Sequence, residues 1–235
     1  MLIFTLFINQ IMNIKDIQLK ISGQLENINY RIDYFFNQKP ISPWNDIPMR
    51  DDDLYTMVVE IPTFTRDKIE MSKEHPQNSL LYDLKNGQPR KYHGPIYWNY
   101  GFIPQTWEDP QHIQFNCGGD NDPLDIIDIG QSVLKQGSIH CVKVLGSLGM
   151  IDQGEFDWKI IAINKNDPYF NVIDDIHQVN TYYPHTLNGI REWFRWYKYP
   201  DKKKLNIFEL NEEFQDKEFS LKIIEDTHKQ WINRK

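Results

Sequence analysis

The chain has 235 residues, 40% of them hydrophobic and 25% charged, with a formal net charge of −7 and a pI of about 5.5. That length and composition suit one sizeable core and a single domain, and the acidic balance leaves no basic stripe of the kind that binds nucleic-acid phosphates. Two cysteines, Cys117 and Cys141, make neither a CxxC pair nor a dense scaffold, so reduced thiols in a cytoplasmic protein are expected rather than a disulfide-built secreted fold.

In chain order, residues 1–8 are apolar enough for a short signal core but too short to span a bilayer. No basic residue precedes them, no small-residue cleavage site follows, and the absence of Arg before Arg31 argues against a mitochondrial presequence. We read residues 1–28 as an extension of uncertain use, with Met12 as an alternative start and organelle targeting left open, and residues 29–235 as the domain. Residues 55–61 read as a strand closed by Pro62, with Tyr55, Met57, Val59 and Ile61 on one side and Thr56, Val58 and Glu60 on the other. Residues 68–72 alternate polar and apolar, which puts Lys68 and Glu70 on one face. Strands follow at 138–145 and 158–163, broken by Gly146, Gly149 and Gly154.

Helical spacing predicts a helix over 185–197 after Pro184 and another over 216–231, with Leu221, Ile224, His228 and Trp231 on one stripe. Trp193, Phe194 and Trp196 are assigned to core packing, while Tyr197 and Lys198 at the helix end can reach into a cleft. Lys202-Lys203-Lys204, in a turn after Pro200-Asp201, is expected to be solvated. Short strands in the middle and helices at the end predict a mainly β, α+β protein built on a small barrel.

The chemistry concentrates in residues 118–125, Gly-Gly-Asp-Asn-Asp-Pro-Leu-Asp. In extended backbone Asp120 and Asp122 point to one face, and Pro123 fixes a turn that swings Asp125 back towards them. Such close carboxylates repel unless a cation sits between them, and magnesium, which keeps waters and accepts phosphate oxygens, suits the role. An EF-hand loop is excluded, because it needs Gly and Glu where this chain has Asp125 and Gln131. The apolar run Leu124, Ile126, Ile127 and Ile129 buries the strand behind the carboxylates. A second acidic segment turns through Asp152-Gln153-Gly154 into a strand on which Asp157 and Lys159 share a face. Cross-strand salt bridges account for each carboxylate–lysine pair singly, but not for the same arrangement in three segments.

These segments, with Asn99 to Trp107 and Glu192 to Lys198, resemble a family I soluble inorganic pyrophosphatase of the longer eukaryotic type, in order and spacing, from about Tyr34 to Trp231. The resemblance implies a five-stranded OB-like closed barrel with C-terminal helices outside it, a homodimer, several Mg2+ ions per site and hydrolysis of inorganic pyrophosphate, with no nucleic-acid or membrane partner. It implies Asp120, Asp125 and Asp157 as principal metal ligands, and Asp152, Glu70 and Glu60 as carboxylates that hold further ions or their waters. Asp122 matches the base that aligns the attacking water, and Lys68, Arg90, Tyr100, Lys159, Tyr197 and Lys198 match the phosphoryl-binding residues. With Asp122, the family pattern counts Lys68, Arg90 and Tyr100 as catalytic.

Two positions depart from that pattern. Ile96 stands where the family usually has a second active-site tyrosine, with Tyr97 one place later on what alternation makes the opposite face. Asn45 stands where the eukaryotic branch typically has His, beside Trp44, a candidate interface or core residue. The alternative reading is a catalytically inactive OB-like binding or regulatory protein that retains the metal site, and the acidic pI speaks against a nucleic-acid-stacking version of it.

Overall fold

A computed structural model describes residues 12–234. The apolar stretch 1–8 lies outside the described residues. The first strands are β1 (Gln18–Ser22), β2 (Arg31–Phe36), β3 (Lys39–Ile41), β4 (Arg50–Asp51), β5 (Leu54–Ile61), β6 (Ile69–Met71) and β7 (Leu80–Tyr82). They are followed by β8 (Leu84–Lys85), β9 (Gln88–Pro89), β10 (Asn99–Phe102), β11 (Asp125–Asp128), β12 (Ile139–Asp152) and β13 (Glu155–Asn164). The helices are α1 (Ile176–Tyr182), α2 (Thr186–Trp196) and α3 (Lys217–Asn233), with the short β14 (Ile207–Phe208) between the last two. The fold is thus mainly β with helices towards the C-terminus, as the sequence implies.

The larger sheet runs β14-β12-β13-β11-β10-β5-β4, and β12 pairs again with β5. Five strands therefore form a ring of hydrogen bonds, an uneven one, since β12 and β13 pair at ten positions and β10 and β11 at four. A smaller sheet, β1-β2-β7-β6 with β3 on β2, packs beside it, and β1 pairs with β2 along its whole length although it lies within residues 1–28.

β5 is buried from Tyr55 to Ile61 because it lies inside the ring wall, between β10 and β12. Its pairing with β10 skips one residue: Tyr100 faces Ile61 and Gly101 faces Val59, so Glu60 is extra. A bulge of this kind re-aims a side chain, and Glu60 lines the central cavity instead of the apolar interior.

The expected break at Gly146 and Gly149 is corrected. β12 runs unbroken through both glycines, with one register shift between Val144 and Gly146, and turns only at Gln153-Gly154, where both residues have positive φ as a tight hairpin requires. Gly146 serves packing instead: a Cβ there would stand 2.5 Å from the Gln215 carbonyl and 2.7 Å from Ile176 Cβ.

Helix α1 was not expected. Its N-cap Asp175 accepts from the backbone while Gln178 reaches back, a capping box readable in the sequence as Asp-x-x-Gln. α2 and α3 appear where the periodicity puts them, but α3 buries Ser220, Ile223, Ile224 and Thr227, a stripe rotated from the expected one. His228 and Trp231 instead reach the Gln105 carbonyl and Asn45 Oδ1. Phe194 is buried, whereas Trp196 is 49% exposed, packing edge-on against Tyr199 and donating from Nε1 to Glu192 at 3.3 Å, because its side of α2 meets solvent. Trp44 is a core residue, its ring under the Arg234 guanidinium and its Nε1 donating to Thr106 O. Lys202 to Lys204 are exposed, and both cysteines are free thiols. Among the described residues no helix is long and apolar enough to cross a membrane.

Candidate active site

One cavity of about 170 Å³ gathers the predicted chemistry. Its floor is the 118–125 loop. Gly119 lies so close to the Glu108 backbone that a Cβ would stand 2.5 Å from it, and Asn121 N and Glu108 N are bonded to Glu108 O and Asp122 O. This cross-bracing fixes Asp120, Asp122 and Asp125 around the cavity, with Asp122 N donating to Asp120 Oδ1 at 2.9 Å.

Strand register supplies the next wall. β11 runs parallel to β13 with Asp125 beside Lys159, and alternation puts Asp157 and Lys159 on one face. The buried Lys159 ammonium donates to Asp157 at 2.5 Å, to Asp125, and to the Tyr100 hydroxyl at 3.1 Å. Tyr100 in turn donates to Asp125. Beyond the hairpin turn, Asp152 Oδ2 accepts from Tyr197 at 2.6 Å and Lys198 at 2.5 Å, so the end of α2 is tied to the sheet at the cavity rim.

Lys68 pairs with Glu70 and reaches Asp83 Oδ2 at 3.2 Å, and Arg90 Nη1 meets the same oxygen at 2.8 Å. Asp122 is paired with Lys73 at 2.7 Å, and Glu60 accepts from Met71 N at 2.7 Å. All the expected site residues line the cavity except Arg90, which Asp83 holds beside it. Tyr97 is not brought in: it is 52% exposed against Phe64 and Trp98.

Negative charge is in excess here. Burial, with Asp120 and Asp157 nearby, pushes the Glu108 carboxyl well above its ordinary range, and burial with Asp157 does the same to Asp120. Burial lifts Asp157 to about 8 even beside Lys159, and lifts Asp122 despite Lys73. Lys159 and Lys68 remain charged because Asp125 and Glu70 outweigh the burial that opposes it, and Lys198 likewise holds Asp152 low. Oxygens of Glu108, Asp120 and Asp157 lie within 4.8 Å of one another. Glu108 Oε2 and Asp152 Oδ1 are buried without a hydrogen-bond partner among the described residues. Orphaned carboxylate oxygens in a crowd of like charges fit divalent cations, whose hard oxygen preference matches the donor set.

Sequence reasoning missed Glu108, Lys73, Asp83 and Tyr92. Glu108 arrives through the cross-brace to the glycine loop, and Tyr92 through backbone bonds to Arg66, neither of which leaves a local period. Lys73 was within reach, lying in the polar turn after the strand that carries Glu70.

Crowded carboxylates facing lysines and tyrosines in a small polar cavity are the donor set that suits a divalent cation together with an oxyanion. Residues 57–232 match the family described as inorganic pyrophosphatase, and the chain belongs to that family. It is 40% identical over 220 residues to soluble inorganic pyrophosphatase 6, chloroplastic, of Arabidopsis thaliana, covering 92% of this chain and 73% of that one. It is 43% identical to the probable inorganic pyrophosphatase of Plasmodium falciparum, covering 98% of this chain but 63% of the longer relative. An N-terminally truncated Trypanosoma cruzi vacuolar soluble pyrophosphatase, solved in complex with PPi, superposes with a TM-score of 0.88 at 41% identity, over 92% of this chain and 90% of that one.

Proposed function

We propose that this chain is an inorganic diphosphatase that splits pyrophosphate into two orthophosphates with Mg2+ as its cofactor. The observation that carries the reading is the cavity itself, where crowded carboxylates, one of them Asp152 with an orphaned oxygen, face Lys68, Lys159, Lys198, Tyr100 and Tyr197. Asp120, Asp125 and Asp157 would hold the principal metal ions, with Asp152, Glu70 and Glu60 holding others or their waters. Bound metal neutralises the substrate and lowers the pKa of water.

The chain's own groups do the rest. Asp122, poised by Lys73, takes a proton from the attacking water as its oxygen bonds to the near phosphorus in line with the bridging oxygen. The bridging P–O bond breaks, and its electron pair leaves with the departing phosphate. Lys68, Lys159 and Lys198 act as point charges on the phosphoryl oxygens, and Arg90 offers a fork once it releases Asp83. Tyr100 and Tyr197, whose hydroxyls donate to Asp125 and Asp152, would turn to the phosphoryl oxygens as neutral donors once those carboxylates hold metal.

We read the hydrogen-bonded ring of strands as the OB-like closed barrel, with residues 29–235 as one domain and β1 as an edge strand added by the extension. The free cysteines support a cytoplasmic protein, and the exposed Phe64–Tyr97 pair supports a homodimer. The inactive-protein alternative is not favoured, because the carboxylates and lysines of the family pattern all reach the cavity.

The test is orthophosphate release from pyrophosphate with and without millimolar Mg2+. Wild type should release it only with metal, and Asp122→Asn should lose roughly 10²–10⁴-fold in kcat with an unchanged melting temperature. An Asp122→Asn enzyme as active as wild type would remove the assigned base, and a folded wild type that releases nothing would remove the function.

A further inference from the structure

The cavity contains a tyrosine that the family pattern does not place. Ile96, at the position of the missing second tyrosine, is wholly buried in the core, its backbone paired with Thr65 and Phe64. Its neighbour Tyr97 points outward and cannot substitute. Tyr92, four residues earlier, lines the cavity with only 6% of its surface exposed.

Its placement is rigid. Tyr92 N donates to Arg66 O at 2.8 Å, and Arg66 Nε returns a bond to Tyr92 O at 3.0 Å. The segment 90–92 lies along 66–68, through Lys68 N to Arg90 O at 3.0 Å and a bridge between Asp67 and Lys91. In such extended backbone Arg90 and Tyr92, two apart, share a face. The Tyr92 ring is held edge-on by Trp193 at 5.1 Å and by Tyr197 at 5.9 Å.

The hydroxyl is what sets it apart. Tyr100 and Tyr197 spend theirs on Asp125 and Asp152, whereas the Tyr92 hydroxyl has no hydrogen-bond partner among the described residues. The ring is buried but the hydroxyl is not among the sealed-off orphan atoms, so it is open to the cavity that Tyr92 lines. We propose that the Tyr92 hydroxyl donates to a phosphoryl oxygen of pyrophosphate, supplying from a different segment the neutral contact that Ile96 cannot make. The inference rests on the diphosphatase reading above. Burial, with Lys68 opposing it, pushes the phenol's pKa up, so the group keeps its proton and remains a donor at neutral pH. Lys68 and Lys159 line the same cavity, so an oxyanion drawn to them enters the space that Tyr92 walls.

Tyr92→Phe removes the hydroxyl and keeps the ring contacts. We expect it to melt like wild type, to raise KM for magnesium pyrophosphate by roughly five- to tenfold, and to weaken calorimetric binding of the non-hydrolysable analogue imidodiphosphate by a similar factor, the worth of one hydrogen bond. Tyr97→Phe should match wild type throughout. A Tyr92→Phe enzyme with wild-type KM and analogue affinity would show that the ring only props Tyr197, and would overturn the inference while the diphosphatase reading stood. A wild type that releases no orthophosphate would overturn both.

Discussion

The two ends of one strand make opposite use of a carboxylate. At the far end of β11, Asp128 is completely buried and fully satisfied: Oδ1 accepts from Gly130 N and Asn164 N at 3.0 and 2.9 Å, and Oδ2 accepts from Asn99 Nδ2 at 3.0 Å. At the near end, Asp125 opens onto a cavity where Asp152 Oδ1 is left without a partner, and just behind it Glu108 Oε2, beside Asp120 and Asp157, is left without one too. Both regions are acidic and enclosed. What separates them is whether the fixed structure completes the hydrogen bonding, and a site that leaves it incomplete is one built for something that arrives later.

The comparison breaks most visibly at Asp128. Asp128→Ala strands two buried donors, Asn99 Nδ2 and Asn164 N, and the half-buried Gly130 N; at about 1–3 kcal/mol for each buried donor the loss should be about 2–6 kcal/mol, measured by urea unfolding. Mg2+ should not restore it, because no metal belongs there; restoration by Mg2+ would erase the distinction between the two ends.

At the near end the expected effect is smaller and depends on metal. Mg2+ at about a hundred times its Kd should stabilise wild type by about 2.7 kcal/mol. Asp120→Asn should abolish that gain. Without metal it should melt at or slightly above wild type, since it relieves repulsion with Asp157 and Glu108. Thermal melts of both proteins, with Mg2+ and with chelator, decide it, and an Asp120→Asn protein much less stable without metal would make that carboxylate structural.

The smallest effect per step is in pH. Burial, opposed by Lys159, raises Asp157 from its ordinary 3.8 to about 8 in the folded chain, so between those values the folded state keeps a proton that the unfolded state gives up. The metal-free protein should therefore lose stability as pH rises from about 4 to about 8, by at most about 1.4 kcal/mol per unit. Asp157→Asn should flatten that slope, and saturating Mg2+, which needs the carboxylate ionised, should reverse it. Melting temperature against pH for the three samples is the check.

Asp120, Asp122 and Asp125 were legible because three carboxylates within six residues, stiffened by Pro123, are a local pattern. The pairs Lys68–Glu70 and Asp157–Lys159 were legible because the strand period of two puts them on one face. Gly146 and Gly149 misled, because a glycine looks the same whether it ends a strand or lets Ile176 and Gln215 approach one.

By itself, then, the sequence determined the mainly β character, α2 and α3, and the carboxylates and lysines of the cavity, all written in spacings of two to four residues that backbone geometry converts directly into faces. Only the tertiary structure decided which carboxylates are satisfied and which are left open. It alone pushed Glu60 out of register by a bulge, put Glu108 beneath the glycine loop, tied Arg90 and Lys68 to Asp83, and brought Tyr92 rather than Tyr97 to the cavity wall. Those outcomes depend on pairings between segments distant along the chain, and the free energy of such contacts belongs to both segments, so neither alone encodes it.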